Sequence, residues 1–536
     1  MSLEQDAFSA RSKPGLALRI AHAGALGLPA AYLVLVGMTL SPLLWTRIPA
    51  LVDYPNHLAR MWVLVHGRDI PALAANYVAH WRLVPDLAMD LIVPPLAHLV
   101  GVEQAGRAFI ALTMLMLVAG TMTLHRVLHG RVGFWPLCSL LFVYNAVLYW
   151  GFLNCLFGMG VGLLLFAAWI ATRSWPNALR LPLFALAASV LFCLHLFAFG
   201  FYGLLVASYE IGNVWRARPW FAAGFAALCR AGWQFIPAML LWAASLDNGG
   251  PYLTLYGSLA MKAYAALAPT TFGSQPLPFD RLLLVFCAVF WLAGRIDGSL
   301  RVVPSMQAPL MATLIAALLM PHWISGSALA DIRLPAILPF LLIASTRLER
   351  PKPHLVAPFA VAALVFLALR VWTVSETWRD YATQFAEFRA ADHVIAPGSR
   401  LLVVASPLPE SATTFSGLPR ALATRQDNNF MHMAALAIID RSVFIPYLFT
   451  GWTSVSPARR NAGLFVSSGS PLTPERFATG EWTPDILGEP PYWRDWRGHF
   501  DYLLWIDFGE SKPPANPALV PVARGSFFVI DRILRP

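Results

Sequence analysis

The stretch "LVDYPNHLAR" (51–60) sets Asp53, Asn56, His57 and Arg60 within eight residues, directly after an apolar run long enough to cross a bilayer. Two kinds of chemistry suit such a set. A carboxylate can take a proton from a hydroxyl, and cationic groups can hold a phosphate and the charge that grows on it. Asp53 is the candidate base, because a carboxylate near a low-dielectric boundary has a raised proton affinity. Arg60 and His57 are candidate phosphate contacts. The same residues also fit a structural role, with Asp53 favoured by the dipole of the helix that follows and Arg60 reaching to lipid headgroups.

Further polar residues interrupt apolar surroundings. Arg333, in "SGSALADIRLP" (325–335), is the best phosphate candidate, since a planar guanidinium can bind two oxygens at once. Asp331 would orient it, or the two would form a structural pair fixing a loop. Asp86 and Asp90 are four apart and share a helix face. Acids at the start of a membrane helix are costly unless they face protein or water. These two are placed to bind acceptor hydroxyls or a divalent cation; alternatively Asp86 caps the helix and Asp90 finds a partner such as Arg82. His322 and Trp323 in "PHWISG" end an apolar run where a lipid phosphate would approach, although Trp is ordinary at an interface. His195, inside "FCLHLFAFG", reads as a neutral imidazole bonded to a neighbouring helix. Gly151 and Asn154 in "YWGFLNCLFGMG" mark a tight or re-entrant turn whose backbone groups Asn154 can satisfy.

The elements that must position these residues are membrane helices. The 536 residues are 57% hydrophobic and 13% charged, with 20 Trp and 34 Phe, and the mean hydropathy is +0.58. A soluble protein carries about 25% charged residues. The net charge of +10 gathers in short loops between apolar runs, the pattern of cytoplasmic loops and not of a nucleic-acid binder. All five cysteines lie in apolar segments without metal-site spacing, so neither a disulfide framework nor a cysteine metal site is expected.

Eleven apolar runs are long enough to be considered as spans: 24–46, 85–101, 106–125, 134–150, 153–171, 181–206, 221–245, 281–296, 305–323, 334–346 and 355–374. The first follows Arg11, Lys13 and Arg19 and is too long for a signal-peptide core, so it reads as a retained helix with a cytoplasmic N-terminus. That count puts the basic loops 215–220, 294–301 and 346–354 in the cytoplasm. It puts the loops 47–84, 246–280 and 321–333 outside, with everything after 375. It also puts the basic "HRVLHGR" (125–131) and "TRSWPNALR" (172–180) outside, against the charge bias, unless a run between 85 and 171 is re-entrant; alternatively those loops hold anionic groups. Within the first loop, Pro55 suits the first turn of a helix to His66. Leu58, Met61, Trp62 and Val65 fall on one face of it, which suggests a helix lying in the interface plane.

After 375 the apolar runs shorten and turn residues multiply. Strands are predicted at "RLLVVAS" (400–406), "DYLLWIDF" (501–508) and "GSFFVIDRI" (525–533), with helical stretches at 376–394 and 431–449. "PGSR" before the first strand suggests a Rossmann-like edge without a nucleotide fingerprint. The expected architecture is an all-α polytopic membrane bundle over 1–374 and an extracytoplasmic α/β domain over 375–536.

With Asp53 shortly after the first helix, "DLAMDLIVPPLAHLVGVEQAGRAF" (86–109) and "ADIRLPAILPF" (330–340), the chain resembles the GT-C superfamily of membrane glycosyltransferases along nearly its whole plan. The resemblance implies a cytoplasmic N-terminus, a large first extracytoplasmic loop, an essential acid after the first helix and a polyprenyl-phosphate-linked sugar donor. Many members carry two adjacent acids there; here Tyr54 follows Asp53. The reaction implied is transfer, with inversion, to a lipid, glycan or protein acceptor at the outer face of a bacterial-type cytoplasmic membrane. No cofactor is implied beyond a divalent cation, whose ligands the sequence leaves unknown. The alternatives are a transporter or flippase of a lipid-linked glycan and a non-catalytic scaffold. The first would place charges through the helices and show paired repeats, whereas here the polar residues gather at one surface and no repeat is found.

Overall fold

The structure is a computed structural model. It describes residues 16–215, 219–245, 254–324, 326–349, 352–405, 428–450, 454–466, 471–479, 489–507 and 515–535. Arg11 and Lys13, the middle of the 215–220 loop, "DNGGPY" (247–252) and the turn-rich stretches at 406–411, 467–470 and 508–514 lie outside the described residues.

Among the described residues, five helices are long and apolar enough to cross a membrane: Val102–His129, Leu153–Ala171, Asn177–Leu194, Phe221–Ala244 and Leu355–Val394. Helices Gly27–Leu40, Ala88–Val100 and Pro304–Leu319 are apolar but shorter. This corrects the expectation of about eleven spans, and the reasons are local. The run 134–150 folds as a 3-10 helix, Trp135–Phe142, and a single turn, Ala146–Tyr149. Its backbone is tolerated because it is buried among helices. There the Asn145 side chain donates to the Phe142 carbonyl at 2.9 Å and accepts from the Leu148 amide at 3.0 Å. The run 181–206 is two helices, since the backbone is extended at His195. The run 85–101 gives a 13-residue helix, Ala88–Val100, with Pro94 and Pro95 inside it. At 1.5 Å per residue that is about 20 Å, short of the roughly 30 Å of hydrocarbon.

The chain direction agrees with the alternative of a re-entrant run between 85 and 171. Phe109 packs on Phe157 with ring centroids 5.3 Å apart, and Gly160 lies against Met116 so closely that a Cβ would sit 2.7 Å from its carbonyl carbon. Helices Val102–His129 and Leu153–Ala171 therefore run parallel. Both start on the face that holds Asp53: Gly106 abuts Tyr54, and Asn154 bonds the Asp86 loop. Helix Ala88–Val100 begins and ends on that same face. "HRVLHGR" and "TRSWPNALR" consequently lie on the opposite face, with the other basic loops. There strand Leu300–Val302 pairs with Thr346–Leu348, and His129 and Trp135 reach the carbonyls of Ala344 and Ile343 at 3.2 and 3.0 Å.

Helix Pro353–Ala391 runs unbroken past residue 375, from the bundle into the C-terminal part. Beyond it stands a four-stranded sheet in the order Leu401–Ala405, Tyr502–Ile506, Phe528–Ile533, Leu519–Arg524. The first pair is parallel and the others antiparallel. The three predicted strands are present, and Leu519–Arg524 is added at the edge. The first loop joins this part directly, since Tyr77–Ala79 pairs antiparallel with Val455–Pro457. Arg389 ties the two halves, bonding Glu103 at 2.9 Å and Asp440 at 2.5 Å.

Helix Tyr54–His66 forms where expected, but its apolar face is covered by protein and not left open to lipid. Tyr54 to Met61 are all buried. It is wedged between the bundle and the C-terminal part, its polar side chains finding partners in both.

Candidate active site

Asp53 is placed by backbone. The amides of Val52 and Asp53 donate to the carbonyls of Tyr149 and Trp150 at 3.0 and 3.1 Å. Gly151 makes that approach possible: its φ is +84°, and a Cβ would stand 2.9 Å from the Asp53 nitrogen. Asp53 directly precedes its helix, yet its side chain makes no capping bond. The carboxylate turns instead to His432 of the C-terminal part, whose Nε2 lies 3.3 Å from Oδ1. Burial pushes the Asp53 carboxyl above its ordinary value; the bond from His432 and the charge of Arg333 pull against that, and Asp86 adds to it.

Asp86 stands on a strained turn, with φ +76° in a residue that has a side chain. The Asn154 amide holds the turn, donating to the Asp86 carbonyl and accepting from the Met89 amide, both at 2.8 Å, and the Leu87 amide donates to Cys193 at 2.9 Å. Asn154 thus serves backbone groups, but those of the Asp86 turn and not, as the sequence suggests, those of its own turn. The Asp86 side chain keeps 43% of its surface accessible and faces His195 Nε2 at 3.6 Å. His195 Nδ1 accepts from the Phe197 amide at 3.1 Å, so the neutral ring carries its hydrogen on Nε2, towards Asp86. His195 thus serves a helix break and an acid, not a neighbouring helix. Burial raises the Asp86 carboxyl, against the pull of Arg60 and Arg333.

Arg333 begins helix Arg333–Ser345 and is buried. Its Nη2 donates to Ser327 Oγ at 2.7 Å and to the Ala328 carbonyl at 3.2 Å. Its guanidinium lies over Phe152 and Phe197 at 4.9 and 5.3 Å. It forms no ion pair among the described residues, and its Nε has no hydrogen-bond partner. Asp331 does not orient it. That carboxylate is taken by His322 Nδ1 at 3.0 Å, with Lys262 Nζ at 3.9 Å.

The remaining expected site residues go elsewhere. Arg60 and Asp90 pair at 2.5 Å with their side chains 1% and 0% accessible, so in this arrangement neither meets a phosphate or an acceptor, and the partner of Asp90 is Arg60 and not Arg82. His57 is buried with its ring 5.1 Å from Phe449. Burial, with Arg60 and His432 nearby, holds its pKa well below the ordinary 6.5, so it is uncharged at neutral pH. No group of three His, Cys, Asp or Glu able to hold a metal occurs among the described residues.

His432 was missed. Its signal was weak: "NNFMHMAAL" (428–436) sets three polar residues before an apolar helix, 379 positions from Asp53. Asn56 stands in the sequence only as one member of the polar cluster after the first helix, yet it bonds both the Tyr447 carbonyl and the Phe449 amide.

No protein-family model and no curated protein matches the sequence. Among solved structures, two of ArnT from Cupriavidus metallidurans are similar to this chain. The structure in the apo state is 12% identical with a TM-score of 0.47, and that bound to undecaprenyl phosphate is 11% identical with a TM-score of 0.49. Each likeness covers 96% of this chain and 98% of that one.

Proposed function

We propose that this chain is a membrane glycosyltransferase that moves a sugar from a polyprenyl-phosphate donor to a hydroxyl of a lipid, glycan or protein acceptor at the outer face of the cytoplasmic membrane. The observation that carries the reading is a buried guanidinium without an anion. Arg333 forms no ion pair among the described residues, keeps an unpartnered Nε, and is close enough to Asp53 and Asp86 for its charge to act on both. A buried unpaired charge is costly, and an anionic ligand relieves that cost.

In the proposed step the acceptor hydroxyl gives its proton to the Asp53 carboxylate while its oxygen attacks the anomeric carbon. The bond from that carbon to the phosphate oxygen breaks, and the polyprenyl phosphate leaves with one more negative charge, which Arg333 receives. Attack opposite the leaving group inverts the anomeric centre. Asp86, half open beside Arg333, would receive acceptor hydroxyls. The sequence resemblance to the GT-C superfamily supports the same reaction, and the gathering of basic loops on the face opposite Asp53 supports an outward-facing site.

The test uses the purified protein in lipid nanodiscs with a panel of synthetic undecaprenyl-phosphate monosaccharides and a panel of lipid, glycan and protein acceptors, and reads release of undecaprenyl phosphate together with the glycosylated acceptor by mass spectrometry. Wild type is expected to turn over at least one donor. Asp53→Asn should cut that rate about a hundred- to ten-thousandfold, and Arg333→Ala should raise the donor KM or abolish release. Unchanged kinetics in both variants would refute the reading.

A further inference from the structure

We propose that His432, delivered by the C-terminal part of the chain, is the positioning residue of the Asp53 carboxylate, and that Asn56 fixes which nitrogen of its ring carries the hydrogen. This rests on the reading of Asp53 as the base.

The argument begins with the Asn56 amide, whose two ends are told apart by backbone. The Phe449 amide can only donate, and it meets Asn56 Oδ1 at 2.8 Å. The Tyr447 carbonyl can only accept, and it meets Nδ2 at 3.1 Å. The amide is therefore oriented without ambiguity, and the second Nδ2 hydrogen goes to His432 Nδ1 at 3.1 Å. A nitrogen that accepts a hydrogen bond carries no hydrogen itself. In the neutral ring the hydrogen must sit on Nε2, which faces Asp53 Oδ1 at 3.3 Å.

The same arrangement rules out a relay. Nε2 already bears its hydrogen, and the Nδ1 lone pair is engaged by Asn56, so the neutral ring has no site from which to receive the Asp53 proton. His432 holds and orients the carboxylate; the proton stays on Asp53. The ring has little freedom to do otherwise. Its side chain is 2% accessible, with Tyr447 and Phe449 at 5.9 and 5.1 Å. Asn429 of the same segment donates to the Ala50 carbonyl at 3.0 Å, three residues before Asp53.

A donor to a carboxylate favours the ionised form. The other charged groups that act on Asp53 are Arg333 from the bundle and Asp86 from the turn before helix Ala88–Val100, and His57 acts in turn with His432. Removing the N–H while leaving these in place moves the titration of Asp53 in one direction, to higher pH.

The experiment compares wild type, His432→Leu and His432→Gln in nanodiscs with whichever undecaprenyl-phosphate monosaccharide wild type turns over. Leucine removes the donor; the glutamine amide restores an N–H at about the same reach. His432→Leu should lower kcat by about ten- to hundredfold, the range for losing a hydrogen bond to a charged group. It should leave the donor KM unchanged and shift the acidic limb of the pH–rate profile upward, and His432→Gln should recover most of both. Solid-state NMR of histidine-labelled wild type, which needs no variant to fold, should give the nitrogen pattern of an Nε2–H tautomer at His432. An unmoved acidic limb in His432→Leu, a glutamine no better than leucine, or an Nδ1–H tautomer would each overturn the proposal. Full turnover by Asp53→Asn would instead overturn the base assignment on which it rests.

Discussion

Asp53 is a liability to the fold at the pH where it would work. Burial raises its carboxyl above the ordinary 3.8. A group with a higher pKa folded than unfolded binds its proton more tightly in the fold. It therefore adds stability at low pH and loses that contribution as pH rises through the folded value. At neutral pH Asp53 costs stability, and asparagine does not carry that cost. Asp53→Asn should thus melt higher than wild type at pH 7, with the gap closing on acidification; a gap that widened towards acid would contradict the shift. Arg60 gives the opposite case. Arg60→Met leaves Asp90 buried and unpaired and should cost about 3–5 kcal/mol, while the double change Arg60→Met with Asp90→Leu should recover most of it. Thermal unfolding in detergent checks both. The sequence marked Asp53, Asp86 and Arg333 because each interrupts apolar surroundings. It marked Arg60 and Asp90 for the same reason and gave no means of telling that these two satisfy each other, since their encounter depends on two helices crossing. His432 was illegible for a related cause: its partner lies in another part of the chain, and a histidine in a polar loop costs nothing there.

The elements that hold the site are short and irregular, which is why periodicity described them poorly. Hydropathy finds a run; it does not say whether the run is straight. The run 134–150 folds as 3-10 helix and turn, 181–206 breaks at His195, and 85–101 turns back to the face it came from. In each case the break serves the site: Trp150 and Gly151 receive Asp53, His195 faces Asp86, and the turn before Ala88–Val100 carries Asp86 itself. Long uninterrupted helices such as Val102–His129 were legible because a continuous apolar run is the whole sequence signal of a straight span. Gly151 is the most exposed to test. Gly151→Ala would put a Cβ 2.9 Å from the Asp53 nitrogen at a φ of +84°. The φ alone costs about 1–2 kcal/mol for an L-residue there, and the clash falls on backbone, so the Asp53 segment must move. Turnover is expected to fall at least tenfold, with a lowered melting temperature. Full activity would mean that the Asp53 position is not set by this contact.

At the scale of the molecule, the first loop and the C-terminal part close over one face of the bundle and the basic loops gather on the other. The composition foretold a membrane bundle with an α/β cap, and three of four sheet strands were legible from their β-branched and aromatic runs. The sidedness of 125–131 and 172–180 was not, because it depends on the short helix Ala88–Val100 failing to cross. Single cysteines at Arg131, Ser174 and Arg301, in a background without the native cysteines, should be labelled by an impermeant maleimide from one side of sealed membranes, and a cysteine at Ser526 only from the other. Labelling of Ser174 and Ser526 from one side would break this arrangement. What the account depends on most is that a carboxylate and a guanidinium without an ion pair among the described residues, from distant parts of the chain, face one lipid-phosphate site. The most direct measurement is an electron cryomicroscopy structure in nanodiscs with undecaprenyl phosphate. The phosphate is expected against the unpartnered edge of Arg333, with Asp53 and His432 across a space wide enough for a sugar. Phosphate density on the basic face, or at Arg333 with solid packing between it and Asp53, would contradict it.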